Sequence, residues 1–171
     1  MGRRGIRPGT ILPEPKVKRK HDNSKHRELC LLGAEYLRRL PYGGVKYVSV
    51  ELVTQGWELA DVWATTGFKT YLIEVKVSRS DFLRDARKEV RLNPNDGAGN
   101  FRYYLCPADM VSSDEVPDNW GLLYERNGII VVGKEAKEQD ANNRAENAIL
   151  CSIMRREGIK VQVFNYRKQE P

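Results

Sequence analysis

The chain has 171 residues, 40% of them hydrophobic and 30% charged, with a net charge of +6, which suits one domain large enough to bury its own core. No apolar run approaches the roughly 20 residues needed to span a bilayer, and the basic N-terminus lacks the apolar segment of a secretory leader. Cys30, Cys106 and Cys151 are far apart, odd in number and without a Cys-x-x-Cys pair, which argues against a disulfide framework or a zinc site and for reduced thiols in a cytoplasmic setting.

Charge is spread unevenly. Residues 1–27 hold nine Lys or Arg against Glu14 and Asp22, a net of +7, so the remainder sums to about −1. Residues 1–24 are rich in Pro and Gly without periodicity and read as an extended or disordered basic arm, and 25–171 as a single domain. Such an arm serves either phosphate contacts or solubility.

In "SKHRELCLLGAEYLRRL", Leu29, Leu32, Gly33, Tyr36, Leu37 and Leu40 form an apolar stripe of helical period, with Ser24 as the expected N-cap and Pro41 as the stop. "VKYVSVELV" alternates as a strand. Two more strands follow near 58–64 and 68–77, joined by "TTG". Ser78 with Asp81 resembles a capping box opening a helix over 79–91, which ends at the loop "NPNDGAGN". "FRYYLCP" is the next strand, "WGLLYERNGIIVV" a hairpin turning at "RNG", 140–157 a last helix, and "IKVQVFNY" a final strand. The order predicts an α/β domain, a mixed sheet flanked by helices.

The second and third strands carry charges that buried strands normally exclude. On the third, Tyr71, Ile73, Val75 and Val77 share one face, while Phe68, Thr70, Leu72, Glu74 and Lys76 share the other. An even-numbered hairpin loop centred on Thr66 and Gly67 sets Asp61 opposite Leu72, facing the same way as Glu74 and one diagonal away. An odd-numbered loop would turn Asp61 to the other face. Two carboxylates so placed suit a hard divalent ion such as Mg²⁺ or Mn²⁺, which binds phosphate oxygens and activates water. An adjacent ammonium adds electrostatic stabilisation of the transition state. Asp61, Glu74 and Lys76 are therefore candidates for phosphodiester hydrolysis. A bare Glu-x-Lys in a strand is more often an exposed cross-face ion pair.

Asp61, a hairpin and then Glu74-Val75-Lys76 resemble the PD-(D/E)XK nuclease superfamily. The longer run "EVKVSRSDFLRDARK" is similar to its MmcB-like branch, associated with DNA repair and found on phages and mobile elements. The likeness continues through "NFRYYLCP" and "VPDNWGLLYERNG" and covers most of residues 25–157. It implies a restriction-endonuclease-like αβββαβ core, with Asp61 and Glu74 as metal-binding acids, the Val75 carbonyl as a further ligand and Lys76 as the catalytic lysine. Ala60 stands where the name-giving proline would fall. Glu51 is the candidate third acid, whereas Glu28 and Glu35 read as surface carboxylates.

Arg84, Lys88 and Arg91 recur at helical spacing, either as a grip on a DNA backbone or as a solvated face paired with Asp81, Asp85 and Glu89. His21 and His26 read as surface positions, and Trp57, Trp63, Trp120, Tyr103 and Tyr104 as core. The leading expectation is a Mg²⁺- or Mn²⁺-dependent DNA endonuclease, cytoplasmic, with DNA as partner, no membrane, and a homodimer as an allowed assembly. The alternatives are a non-cutting nucleic-acid-binding module and a protein–protein adaptor. Substrate structure, polarity and oligomeric state are not written in the sequence.

Overall fold

A computed structural model describes residues 23–41, 44–54 and 60–159, apart from the side chains of 89, 92 and 94. The basic arm up to residue 22, His21, Trp57, the opening of the second strand at 58–59 and all but the first residue of the last expected strand lie outside the described residues.

Helix α1 (Ser24–Arg38) precedes three strands, β1 (Tyr47–Leu52), β2 (Ala60–Thr65) and β3 (Thr70–Val75). Helix α2 (Arg79–Asp85), the short α3 (Glu89–Leu92) and a 3₁₀ turn (Pro94–Asp96) lead to β4 (Phe101–Pro107). A hairpin of β5 (Gly121–Arg126) and β6 (Ile129–Lys134) and helix α4 (Asn143–Arg156) complete the described part. The six strands form one sheet in sequence order. β1/β2, β2/β3 and β5/β6 are antiparallel, while β3/β4 and β4/β5 are parallel. The fold is thus α/β with a mixed sheet flanked by helices, and the expected αβββαβ succession is present.

Both sheet faces are covered, as strands with parallel neighbours require. Leu29, Cys30, Ala34 and Leu37 of α1 pack on Val62, Ala64, Ile73, Val75 and Leu105. On the opposite face Trp63, Leu72, Tyr104 and Leu122 meet Phe82 of α2, Trp120, and Ala145 and Ile149 of α4. Trp63, Trp120, Tyr103 and Tyr104 are buried as expected, with Tyr104 stacked on Trp120 and edge-on to Phe82. At the β5/β6 turn Asn127 and Gly128 both have positive φ, which the "RNG" signature anticipates.

Three local expectations are corrected. Asn23, not Ser24, occupies the N-cap position of α1, and its side chain makes no capping bond. Ser78 does cap α2, its Oγ accepting from Asp81 N at 3.3 Å, but the helix expected over 79–91 ends at Asp85 and resumes at Glu89. That break lets Arg91 Nε reach back to Asp85 Oδ2 at 2.8 Å, which a straight helix at a spacing of six would prevent. The hairpin loop between β2 and β3 is four residues long, Thr65 pairing with Thr70, so its register is offset by two from the expected one.

The loop "NPNDGAGN" is a packed connector. Gly99 has φ +87°, and a β-carbon there would sit 2.8 Å from the Leu72 β-carbon. Its N–H also donates to Glu146 at 2.7 Å. Gly99→Ala is therefore expected to destabilise the fold by about 1–3 kcal/mol, read from the urea midpoint. An unchanged midpoint would show that the loop yields.

Candidate functional site

The hairpin offset moves Asp61 from opposite Leu72 to the position facing Glu74. A shift of two preserves the alternation along the strand. Continuing the β1/β2 register, with Leu52 paired to Ala60 and Val50 to Val62, Glu51 falls in line with Asp61. Glu51, Asp61 and Glu74 thus lie near one end of three neighbouring strands, just past the point where the β2/β3 ladder stops at Val62–Ile73.

The three carboxylates have different partners. Val75 N donates to Asp61 Oδ2 at 2.8 Å, so Asp61 fills the place of a backbone acceptor at the end of the ladder. Its Oδ1 lies 3.4 Å from His26 Nε2 on α1. His26 Nδ1 is 3.5 Å from Glu51 Oε1. His26 is half-buried between two acids, which corrects its reading as a surface residue. The Asp61 contact, set against burial that opposes it, raises the imidazole pKa above its ordinary 6.5. Glu51 has φ +49°, a conformation that non-glycine residues adopt where surroundings impose it.

Glu74 turns to cations. Lys76 Nζ donates to its Oε2 at 3.1 Å, and Arg91 lies 3.2 Å from its Oε1. Lys76 is also 3.3 Å from Asp85 Oδ1. Burial alone would depress the lysine, but Glu74, Asp85 and Asp61 together lift its pKa above 10.5, so the ammonium stays charged inside the protein. Asp85 is the hub of the network, accepting from Arg91, from Lys88 at 2.6 Å and from the Tyr104 hydroxyl at 2.8 Å. Burial would raise its carboxyl, yet Arg91, Lys76 and Lys88 hold it well below the ordinary carboxylate range.

The basic stripe does not form as expected. Arg91 is buried, bound to Glu74 and Asp85 and placed 4.7 Å over the Trp120 ring. It is structural, and no surface for DNA. Lys88 remains half-exposed beside Asp85. Arg84 lines a cleft of about 530 Å³ together with His26, Glu51, Ser78, Ser80 and Asp81. Glu28 and Glu35 are surface carboxylates paired with Lys25 and with Arg38 and Arg39, as expected.

Cys30 Sγ lies 3.5 Å from His26 Nδ1. Thiol, imidazole and the Asp61 carboxylate therefore have the connectivity of a cysteine-nucleophile triad. The chemistry does not follow, because burial first, then the charges of Asp61, Glu51 and Glu74, push the thiol pKa far up, and Cys30 has no exposed surface. Two residues escaped the sequence reading: His26, whose spacing of four to Cys30 on the packed face of α1 was the available signal, and Asp85, three residues after buried Phe82.

Among the described residues, no helix is long and apolar enough to cross a membrane. No family model matches the chain, and no curated protein matches it. A solved structure that is similar, a protein of unknown function from Silicibacter pomeroyi, superposes with a TM-score of 0.50 at 19% identity, over 65% of this chain and 73% of that one. That likeness is one of fold, and it agrees with the α/β architecture described above.

Proposed function

We propose that this protein is a metal-dependent phosphodiesterase acting on DNA, of the PD-(D/E)XK type. The observation that supports the reading is a buried, charged Lys76 held against Glu74 at the end of β3, with Asp61 bound to the next backbone N–H, that of Val75, and a cleft lined by Glu51 and Arg84 nearby.

By chemistry the residues that would hold a hard divalent ion, Mg²⁺ or Mn²⁺, are the carboxylates of Asp61 and Glu74, the Val75 carbonyl and Glu51, and Glu74 would exchange a contact with Lys76 or Arg91 for the ion. Bound there, such an ion supplies a water of lowered pKa and charge compensation at the scissile phosphate. Val75 N holds Asp61 in place. Arg91 steadies the second oxygen of Glu74, and Asp85 with Glu74 orients the Lys76 ammonium. Lys76 would stabilise negative charge on the phosphate, and Arg84 would position the nucleic-acid backbone.

Incubation of the full chain with labelled single-stranded, duplex and branched DNA is expected to give cleavage with Mg²⁺ or Mn²⁺ and none with chelator. Binding of DNA without cutting in either metal would favour the non-cutting module. Neither DNA nor metal binding would favour an adaptor.

A further inference from the structure

We infer that His26, Cys30 and Glu51 form a separate binding site for a borderline-soft divalent ion of the zinc class, fastening α1 to β1. One ligand atom from each residue lies within 4.8 Å of the other two. His26 Nδ1 is 3.5 Å from Cys30 Sγ and 3.5 Å from Glu51 Oε1. Tetrahedral zinc, with bonds of about 2.3 Å to sulfur and about 2.0–2.2 Å to nitrogen and oxygen, places nitrogen about 3.5 Å from sulfur and about 3.3–3.5 Å from oxygen. The two spacings from His26 already match those edges, the third, between Cys30 and Glu51, is within 4.8 Å, and the His26–Glu51 spacing is long for a hydrogen bond between nitrogen and oxygen.

Two further features fit. His26 and Cys30 stand four apart on α1, so both side chains leave one face of the helix one turn apart. The second imidazole nitrogen, Nε2, faces Asp61 Oδ1 at 3.4 Å, the arrangement in which a carboxylate behind a metal-bound histidine fixes its tautomer and orientation. Absence of a Cys-x-x-Cys pair does not bear on this set, since it needs one thiol only.

A thiolate and an imidazole discriminate against Mg²⁺ and in favour of zinc-class ions, which separates this site from the all-oxygen one beside it. Three protein ligands leave a fourth position, and His26 and Glu51 both line the cleft, so a water or a ligand anion completes the shell from that side. As the metal–sulfur bond forms, the Cys30 thiol releases its proton to solvent and His26 binds through unprotonated Nδ1. The site shares Glu51, and Asp61 behind His26, with the proposed Mg²⁺ set, but it invokes no catalytic step, and its sulfur ligand, Cys30, belongs to it alone, so the readout below tests it apart from the phosphodiesterase reading.

The test is titration of the full, metal-stripped chain with Zn²⁺ by calorimetry and with Co²⁺ by absorption. One zinc per chain with proton release is expected, and a sulfur-to-cobalt charge-transfer band that survives Cys151→Ser but disappears in Cys30→Ser and His26→Gln. Asp61→Asn should weaken zinc binding about 10–100-fold. A wild-type cobalt complex without that band, or a band that persists in Cys30→Ser, overturns the proposal. Should Cys30→Ser fail to fold, His26→Gln at its half-buried position decides instead: an undiminished band there overturns it equally.

Discussion

Lys76→Ala is expected to lower Mg²⁺-dependent cleavage of DNA by about 10²–10³-fold, the usual cost of deleting a preorganised charge that meets the transition state. Folding should survive. Without Lys76, Glu74 keeps Arg91 and Asp85 keeps Arg91, Lys88 and the Tyr104 hydroxyl, so neither buried acid loses its last partner. The thermal midpoint and the affinity for DNA should therefore change little compared with kcat. Lys76→Met, which keeps more of the side-chain volume, separates a packing defect from a lost charge. Turnover equal to wild type in both variants would remove Lys76 from the chemistry and overturn the role proposed for it.

The second large effect concerns stability. Asp85→Ala deletes the anion that Lys76, Lys88 and Arg91 share, leaving buried positive charge without its hub. Breaking a buried ion network in this way costs about 3–5 kcal/mol, measurable by urea unfolding at neutral pH. The same residue shapes the acid limb. Its carboxyl is held well below 3.8 in the folded protein, so the folded state binds fewer protons than the unfolded one. Its contribution is present above the unfolded value near 3.8 and is lost as pH falls below that toward the lower folded value. Glu146 has the opposite sign. Burial raises its carboxyl above 4.5 despite bonds from Gly99, Thr70 and Trp63, so its contribution is largest below 4.5 and declines as pH rises through the folded value. Asp85→Asn should flatten the loss of stability below pH about 4, and an acid limb unchanged in that variant would disprove the assignment.

Much of the architecture was legible because it depends on periodicity. The stripe of α1 from Leu29 to Leu37, the alternation of β3 and the apolar run of β4 each reveal an element whose burial is local knowledge. The parity of Asp61 with Glu74 was readable for the same reason, and it tolerated a register error of two. The helix break after Asp85 was not readable, since "RDARKEVR" has no Gly or Pro and consists mostly of good helix formers. The break accompanies the entry of Arg91 into a network assembled from β3, β4 and α2.

From the sequence alone came the strand and helix order and the alternation that sets Leu72 and Glu74 on one side of β3 and Ile73 and Val75 on the other, because backbone period is a property of neighbours along the chain. The tertiary structure alone decided that Arg91 is sequestered, that Asp85 anchors the lysine, and that His26 sits between Asp61 and Glu51 beside Cys30. Those contacts join residues separated by up to dozens of positions. Their energies depend on distance and burial in three dimensions, which no local pattern encodes.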